Sequence, residues 1–218
     1  MSVNVLIASY ISSEERKITI RDTLRSIADN TRLPDRVLIS YSVREGVANP
    51  PIDEWHTILG NICLTTFYHE NRLLQFEHYE FLSHHIKDDD IIIFSDDDDI
   101  LCPTKISTVI EAMNFNDVSA HKLMRFGNKF SKDFIPYETL GETPLYACMR
   151  EYCCFSVKGL VLKNFISSEI FTKNLTGEWA GMLDLWFMVW LEEYQSISYI
   201  EEVLILYRGQ AYPKFYNR

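Results

Sequence analysis

The sequence contains no apolar run long enough to span a bilayer. Its longest strongly apolar windows are Ile91–Phe94 and Leu183–Leu191, against the roughly 20 residues that a spanning helix needs. The opening Met1-Ser2-Val3-Asn4 carries no basic leader, so no secretory signal is expected. Membrane attachment would then need a partner or a domain outside this chain. Glycine and proline are sparse, 8 and 7 in 218 residues, and no repeat or low-complexity linker occurs. Collagen-like and disordered classes are thereby excluded. Positive charge is also scarce: 21 Lys plus Arg against 31 Asp plus Glu give a net charge of −10. Such a chain is poorly suited to the phosphates of bare nucleic acid, and no nucleic-acid partner is expected. The cysteines lack metal-site spacing. Cys63, Cys102, Cys148, Cys153 and Cys154 are odd in number and form no C-x-x-C pair or His–Cys zinc pattern. They read as buried thiols of a reducing, cytoplasmic compartment, a setting that includes enzymes encoded by large viruses. In that setting the sequon Asn174-Leu175-Thr176 has no meaning.

What is present is an ordinary globular composition, 47% apolar, enough for one core and one domain over residues 1–218. Short β-branched runs at Val3–Ala8, Arg36–Tyr41, Asn61–Tyr68 and Ile91–Phe94 read as buried strands. Between them, Glu14–Ile27, Ile52–Leu59 and Arg72–His85 read as helices. This alternation predicts an α/β fold with a parallel sheet and right-handed crossovers. A helix at Pro103–Met113 follows, then a less regular strand-rich stretch from Val118 to Lys163. A helix at Gly181–Tyr194 and short strands at Ile197–Ile200 and Val203–Tyr207 complete the reading.

Ligands of open α/β sheets sit at the carboxyl ends of the strands. Two segments lie there: Ala8-Ser9-Tyr10 after the first strand, and Asp96-Asp97-Asp98-Asp99 after the fourth. Seven aspartates fall within twelve residues, Asp88, Asp89 and Asp90 before that strand and four after it. The first three read as a solvated turn. The last four admit two readings. They form either a solvated turn or helix cap ahead of Pro103, or a carboxylate site for Mg²⁺ or Mn²⁺ held jointly with substrate phosphates.

The segment from Val3 to Tyr10 resembles the opening strand of family 2 glycosyltransferases. Thr23-Leu24-Arg25-Ser26-Ile27 resembles that family's first helix. Ile91–Asp99 resembles its strand and Asp-x-Asp motif, and Asp184-Leu185-Trp186, Ile200–Val203 and Leu206-Tyr207-Arg208 resemble its C-terminal end. The resemblance runs in order over about residues 3–210. It implies a GT-A fold: a Rossmann-like, mostly parallel central sheet flanked by helices, with a smaller mixed acceptor-side sheet. Residues 1–100 would then bind a nucleotide-sugar and residues 101–218 a glycan or glycoprotein acceptor. Ala8, Ser9 and Tyr10 would line the nucleoside, though Tyr10 also reads as a core aromatic. Asp96 would lie by the ribose or the metal and Asp98 would be the main ligand of Mn²⁺ or Mg²⁺. Asp97, counted with the nucleotide-binding residues, and Asp99 are possible substitutes. Asp184 would be the catalytic base of an inverting transfer, with Glu178 the alternate.

The chain departs from the family pattern in three places. The stretch where the family carries a base-reading Asp after the second strand is Ile39-Ser40-Tyr41-Ser42. Where the family often carries adjacent Glu-Asp two or three residues before the position of Asp184, that Asp being its common catalytic base, this chain has Gly181-Met182. No His follows His121, so a C-terminal His cannot ligate the metal. Cations available to a diphosphate are Arg72, read as opening the helix after the third strand, and Arg208, Lys214 and Arg218 on the tail. Each also reads as a solvated surface charge. Trp179, Trp186, Trp190, Tyr146 and Tyr152 are candidates to stack on an acceptor, with Trp186 and Trp190 more naturally core. The resemblance points to a UDP-sugar donor. The alternatives are a retaining GT-A enzyme and a sugar-nucleotide nucleotidyltransferase. The latter is disfavoured because Ser9–Arg16 has none of the glycine its phosphate loop needs. A calcium-binding module is a further rival. An EF-hand loop counted from Asp96 would have Leu101 and Ser107 where Gly and Glu are required.

Overall fold

The computed structural model describes residues 1–126, 145–147, 151–175, 182–193 and 196–208. The first half alternates as the periodicity predicts: β1 (Val3–Ile11), α1 (Glu14–Ala28), β2 (Arg36–Val43), α2 (Ile52–Leu59), β3 (Cys63–His69), α3 (Gln75–Ser83) and β4 (Ile91–Asp96). Then come β5 (Ile100–Leu101), α4 (Lys105–Ala112), β6 (Val118–Phe126) and β7 (Leu145–Ala147). A 3-10 turn (Tyr152–Cys154) leads into β8 (Phe155–Lys158), α5 (Gly159–Ile166), α6 (Glu169–Leu175), α7 (Leu183–Glu192) and β9 (Ile197–Arg208).

These strands form one nine-stranded sheet ordered β3-β2-β1-β4-β8-β6-β9-β5, with β7 on β6. β3, β2, β1 and β4 are parallel. The mixed remainder joins them through the antiparallel β4–β8 pair. From β1 the chain winds outward to β2 and β3, then returns to place β4 on the other side. A crevice forms at the carboxyl ends where the winding reverses. There Ala8 of β1 lies in register with Asp96 of β4.

Alternate residues of the parallel strands feed two cores. Leu6, Leu38, Ile92 and Phe94 pack with Phe76, Phe165 and Phe187 from α3, α5 and α7. Val5, Ile7, Val37, Ile39, Ile91 and Ile93 pack with Ile20, Leu24, Trp55 and Ile106 from α1, α2 and α4. Burial on both faces is why these strands read as continuous apolar runs rather than alternating ones.

Helix α1 begins at Ser13, whose hydroxyl accepts from Arg16 N, and Glu14 and Glu15 in its first turn suit the helix dipole. Buried polar side chains of α1, and Asn30 just after it, hold the segment after β4. Thr23 Oγ1 donates to Asp99 O at 2.8 Å. Ser26 Oγ accepts from Leu101 N at 3.0 Å, and Asn30 Oδ1 accepts from Ile106 N at 3.2 Å. Helix and acidic segment are therefore fixed as one unit.

Several elements differ from the expectation. The helix expected from Arg72 starts at Gln75, because the Glu77 carboxylate accepts from Leu74 N and closes the first turn there. Arg72 stays in the preceding loop. The two short strands read at residues 197–207 are one strand. Its pairing with β6 breaks between Tyr199 and Val203, so the polar Glu201 and Glu202 mark a bulge rather than an end. The strand-rich stretch read up to Lys163 turns helical at Gly159, and α6 was not anticipated. Asp90 is buried, not solvated, and accepts from Ser2 N and Lys87 N at 2.9 and 3.0 Å. Cys63 is exposed on the edge strand β3. Cys153 and Cys154 are buried, and all four described cysteines are free thiols. Cys148 lies outside the described residues.

Candidate functional site

The crevice is a cavity of about 640 Å³. Its walls come from the ends of β1 (Ala8, Ser9, Tyr10) and β4 (Asp96, with Asp97 and Asp98 beyond), and from Arg72 and Gln75 ahead of and at the start of α3. Glu151, Tyr152, Asp184, Tyr207 and Arg208 complete it from the second half of the chain.

Each aspartate of the cluster has its own environment. Asp96 Oδ1 accepts from Gln75 Nε2 at 2.8 Å and from the Tyr152 hydroxyl. Gln75 Nε2 also lies 2.7 Å from the Tyr152 oxygen, and Tyr79 backs the group at 3.1 Å. Asp97 is buried and accepts from Ser9 Oγ. Arg16 Nη1 lies 3.1 Å from Asp97 Oδ1 and 2.5 Å from Asp98 Oδ2. Asp99 sits beneath the floor. Its Oδ1 accepts from Arg208 N at 3.3 Å, while its Oδ2 is buried without a hydrogen-bond partner. Burial, reinforced by the Asp98 charge, pushes the Asp96 carboxyl up to about 7. Burial lifts Asp97 to about 6 against the pull of Arg16. Asp99 is also raised well above the carboxylate range, chiefly by burial and then by Asp96.

Burial and their mutual charge thus hold these carboxyls toward the neutral form, and one Asp99 oxygen is left without a hydrogen bond. Asp96, Asp99 and Cys153 also each bring one ligand atom within 4.8 Å of the other two. Two carboxyls in that set suit a divalent cation, whereas Asp98, read from the sequence as the main ligand, is not in the set and pairs with Arg16.

Away from the cluster, the Arg72 guanidinium lies 4.4 Å over the Tyr10 ring, so Tyr10 is a cavity aromatic rather than a core one. Asp184 stands in the first turn of α7, and burial raises its pKa against the opposing hydrogen bond from Leu185 N–H. Glu151 is raised by burial and then by the Asp184 charge. Arg208, read as a tail cation, is buried instead. It donates to Asp22 Oδ2 at 3.2 Å and to Asp98 O at 3.0 Å, pinning the end of β9 to α1 and the acidic segment. Trp190 packs on the core against Phe165. Glu178, Trp179, Lys214 and Arg218 lie outside the described residues, as does the side chain of Tyr146. Sequence reasoning missed Arg16, Gln75, His78, Glu151 and Tyr207 as cavity residues, and it read Tyr152 as a stacking platform rather than a hydrogen-bond donor to Asp96. Arg16 alone left a signal: it is the nearest cation after the first strand.

No family model matches the chain, and no curated protein matches it. Solved structures do. Residues 1–349 of S. aureus TarS, in complex with UDP, match with a TM-score of 0.65 at 11% identity, covering 95% of this chain and 60% of that one. The same protein has been solved with UDP-GlcNAc. This chain therefore spans about three-fifths of that structure, and 37% of a longer TarS structure. A putative glucose-1-phosphate thymidylyltransferase from Bacillus anthracis matches at a TM-score of 0.54 and 9% identity, over 93% of this chain and 88% of that one. CMP:2-keto-3-deoxy-manno-octonic acid synthetase, complexed with CTP, matches at 0.54 and 12%, over 94% and 91%. The fold is GT-A-like. At these identities the GT-A likeness is one of architecture: a Rossmann-like sheet flanked by helices with its crevice at the strand ends. None of the described helices is long and apolar enough to cross a membrane.

Proposed function

We propose that this GT-A chain is a glycosyltransferase that moves a sugar from a nucleoside-diphosphate sugar, a UDP-sugar by preference, to a hydroxyl of a glycan or glycoprotein. The observation that carries the reading is that two carboxylate groups from separate parts of the chain line one cavity: Asp96, Asp97 and Asp98 after β4, and Asp184 at the start of α7. In this reading residues 1–100 hold the donor and residues 101–218 the acceptor.

Asp96 and Asp98 would hold Mn²⁺ or Mg²⁺, with Asp97 and Asp99 around them. Such an ion offsets the negative charge of a departing diphosphate. Ser9, Tyr10 and Arg72 line the nucleoside end. Gln75 and Tyr152 keep the Asp96 carboxylate turned to the cavity. Asp184 accepts the proton of the acceptor hydroxyl, whose oxygen bonds to the anomeric carbon as the bond to the diphosphate breaks, with inversion. The rise in its pKa from burial makes Asp184 a stronger base than a solvated carboxylate.

Calorimetry of UDP-sugars and of GDP, with and without Mn²⁺, tests the donor half. Binding is expected to need the cation and to favour UDP. A product assay tests the chemistry. Release of UDP from a UDP-sugar supports transfer. Formation of pyrophosphate from a nucleoside triphosphate and a sugar 1-phosphate would instead make the chain a nucleotidyltransferase.

A further inference from the structure

Ser40 on β2 stands between two imidazoles. Its Oγ is 2.7 Å from His69 Nε2 and 2.8 Å from His78 Nδ1. A hydroxyl has one proton, so it donates to one ring while the other ring nitrogen donates to it. When His69 Nε2 carries the proton, Ser40 donates to His78 Nδ1 and His78 Nε2 bears an N–H. In the reverse arrangement His78 Nε2 is a bare acceptor. Both states leave both rings neutral. The trio therefore offers, at His78 Nε2, either one donor or one acceptor, and no charge.

That nitrogen is buried and has no hydrogen-bond partner. His78 is 1% exposed, yet it is one of the residues that line the cavity. A buried polar atom left unpaired in a cavity wall points to a ligand atom that completes it. Its place in the sheet says which part of a ligand. β2 and β3 lie across β1 from β4, so Ser40 and His69 stand on the far side of β1 from the aspartates. Ala8 pairs with Ser40 and Tyr10 with Ser42, which puts both serines on the sheet face of Ala8 and Tyr10. The Ser42 hydroxyl is likewise buried and unpaired. Beside it the Tyr10 ring under Arg72 offers a flat surface. A diphosphate drawn to the acidic side leaves its nucleoside on this flat, mostly neutral side.

We propose that His78 Nε2 hydrogen-bonds the edge of the nucleobase, with Ser40 and His69 as positioning residues that set its tautomer. This rests on the nucleotide-sugar reading above. Base edges carry uncharged donors and acceptors, which an imidazole of selectable tautomer can match. Burial, which keeps His78 neutral by lowering its pKa to about 4, agrees with that role.

The test uses ¹⁵N-histidine-labelled protein with Mg²⁺, titrated with UDP, GDP, CDP or inorganic pyrophosphate. The tightest-binding nucleotide should shift the His78 Nε2 resonance, and pyrophosphate should not. His78→Phe should weaken that nucleotide roughly ten- to hundred-fold, the range for one lost hydrogen bond in a dry site, and leave pyrophosphate within about twofold. Ser40→Ala should change the His78 ring resonances before any nucleotide is added and should weaken the nucleotide less. An unmoved His78 resonance, or a folded His78→Phe that binds nucleotide like the parent, overturns the proposal while leaving the glycosyltransferase reading intact. A parent that binds none of the three nucleotides overturns both.

Discussion

The Tyr152 hydroxyl donates to Asp96 Oδ1, and this contact ties the second half of the chain to the acidic end of β4. Tyr152 sits in the 3-10 turn before β8, and β8 pairs with β4. Its oxygen also meets Gln75 and Tyr79 from α3. One phenol thus fixes the rotamer of the first aspartate from two directions. Tyr152→Phe keeps the ring packing and removes the donor. It is expected to cost about 1–2 kcal/mol of stability and to weaken cation-dependent nucleotide binding roughly tenfold. Denaturant melts and calorimetry measure the two effects. Unchanged nucleotide affinity would show that Asp96 needs no such support.

On the proposed function, cation removal should silence transfer. EDTA is expected to abolish donor hydrolysis, and Mn²⁺ or Mg²⁺ to restore it. Asp98→Asn removes the charge of a proposed ligand but keeps a side chain able to accept from Arg16, 2.5 Å away. The variant should stay folded and melt only a little below the parent, since Asn keeps the hydrogen bond from Arg16 and loses only the charge of that pair. It should nevertheless lose most of its cation-dependent nucleotide binding. Full activity in EDTA would sink the metal-assisted reading.

At Gly159 the close approach, not the backbone conformation, demands glycine. A Cβ there would lie 2.0 Å from Lys87 O. The first amides of α5 also bond the turn ahead of β4, Gly159 N to Asp90 O at 2.8 Å and Leu160 N to Asp88 O at 2.9 Å. Gly159→Ala must push α5 away from that turn, an overpacking cost of about 1–3 kcal/mol. For a chain of this size that lowers Tm by roughly 2–4 °C per kcal/mol. A melt within a degree of the parent would mean that the turn yields freely.

Much of this architecture is legible in the sequence because it rests on local patterns. Runs such as Ile91-Ile92-Ile93-Phe94 announce strands buried on both sides. The abrupt change to acid at Asp96 marks the strand end where the crevice lies. Less legible is whatever depends on partners distant in sequence. Nothing in the polar pair Glu201-Glu202 distinguishes a bulge from a break. The Ser9-Tyr10 and Asp96-Asp97-Asp98 segments lie together because β1 and β4 are neighbours, a strand order that the alternation of elements alone does not fix. Tyr152, which meets Gln75 at Asp96, lies in the turn just before β8, the strand that pairs with β4. Antiparallel entry of a late strand has no local signature. Arg208 reads as a tail cation because its partner, Asp22, lies 186 residues away.

The last prediction concerns proton transfer. Asp184 faces the cavity from the first turn of α7, where the helix dipole and the Leu185 N–H favour its charged form. Burial outweighs them and raises its pKa above the ordinary carboxylate value. A base must be ionised to work. Transfer should therefore be independent of pH well above that raised pKa and fall about tenfold per unit below it. The acid limb should lie above pH 4, the usual carboxylate position. Asp184→Asn keeps the shape and the helix contact but cannot take the proton. It should bind nucleotide-sugar and cation like the parent and lose roughly 10²–10⁴-fold in transfer rate. The residual rate should no longer follow the same acid limb. Glu178→Gln should do much less, and so should Glu151→Gln, although Glu151 shares the cavity and its pKa is raised partly by the Asp184 charge. Near-parental turnover of Asp184→Asn beside a dead Glu178 or Glu151 variant would move the base to that residue. If none of the three changes slows transfer, an inverting mechanism with a base from this wall is untenable, and a retaining one becomes the reading to test.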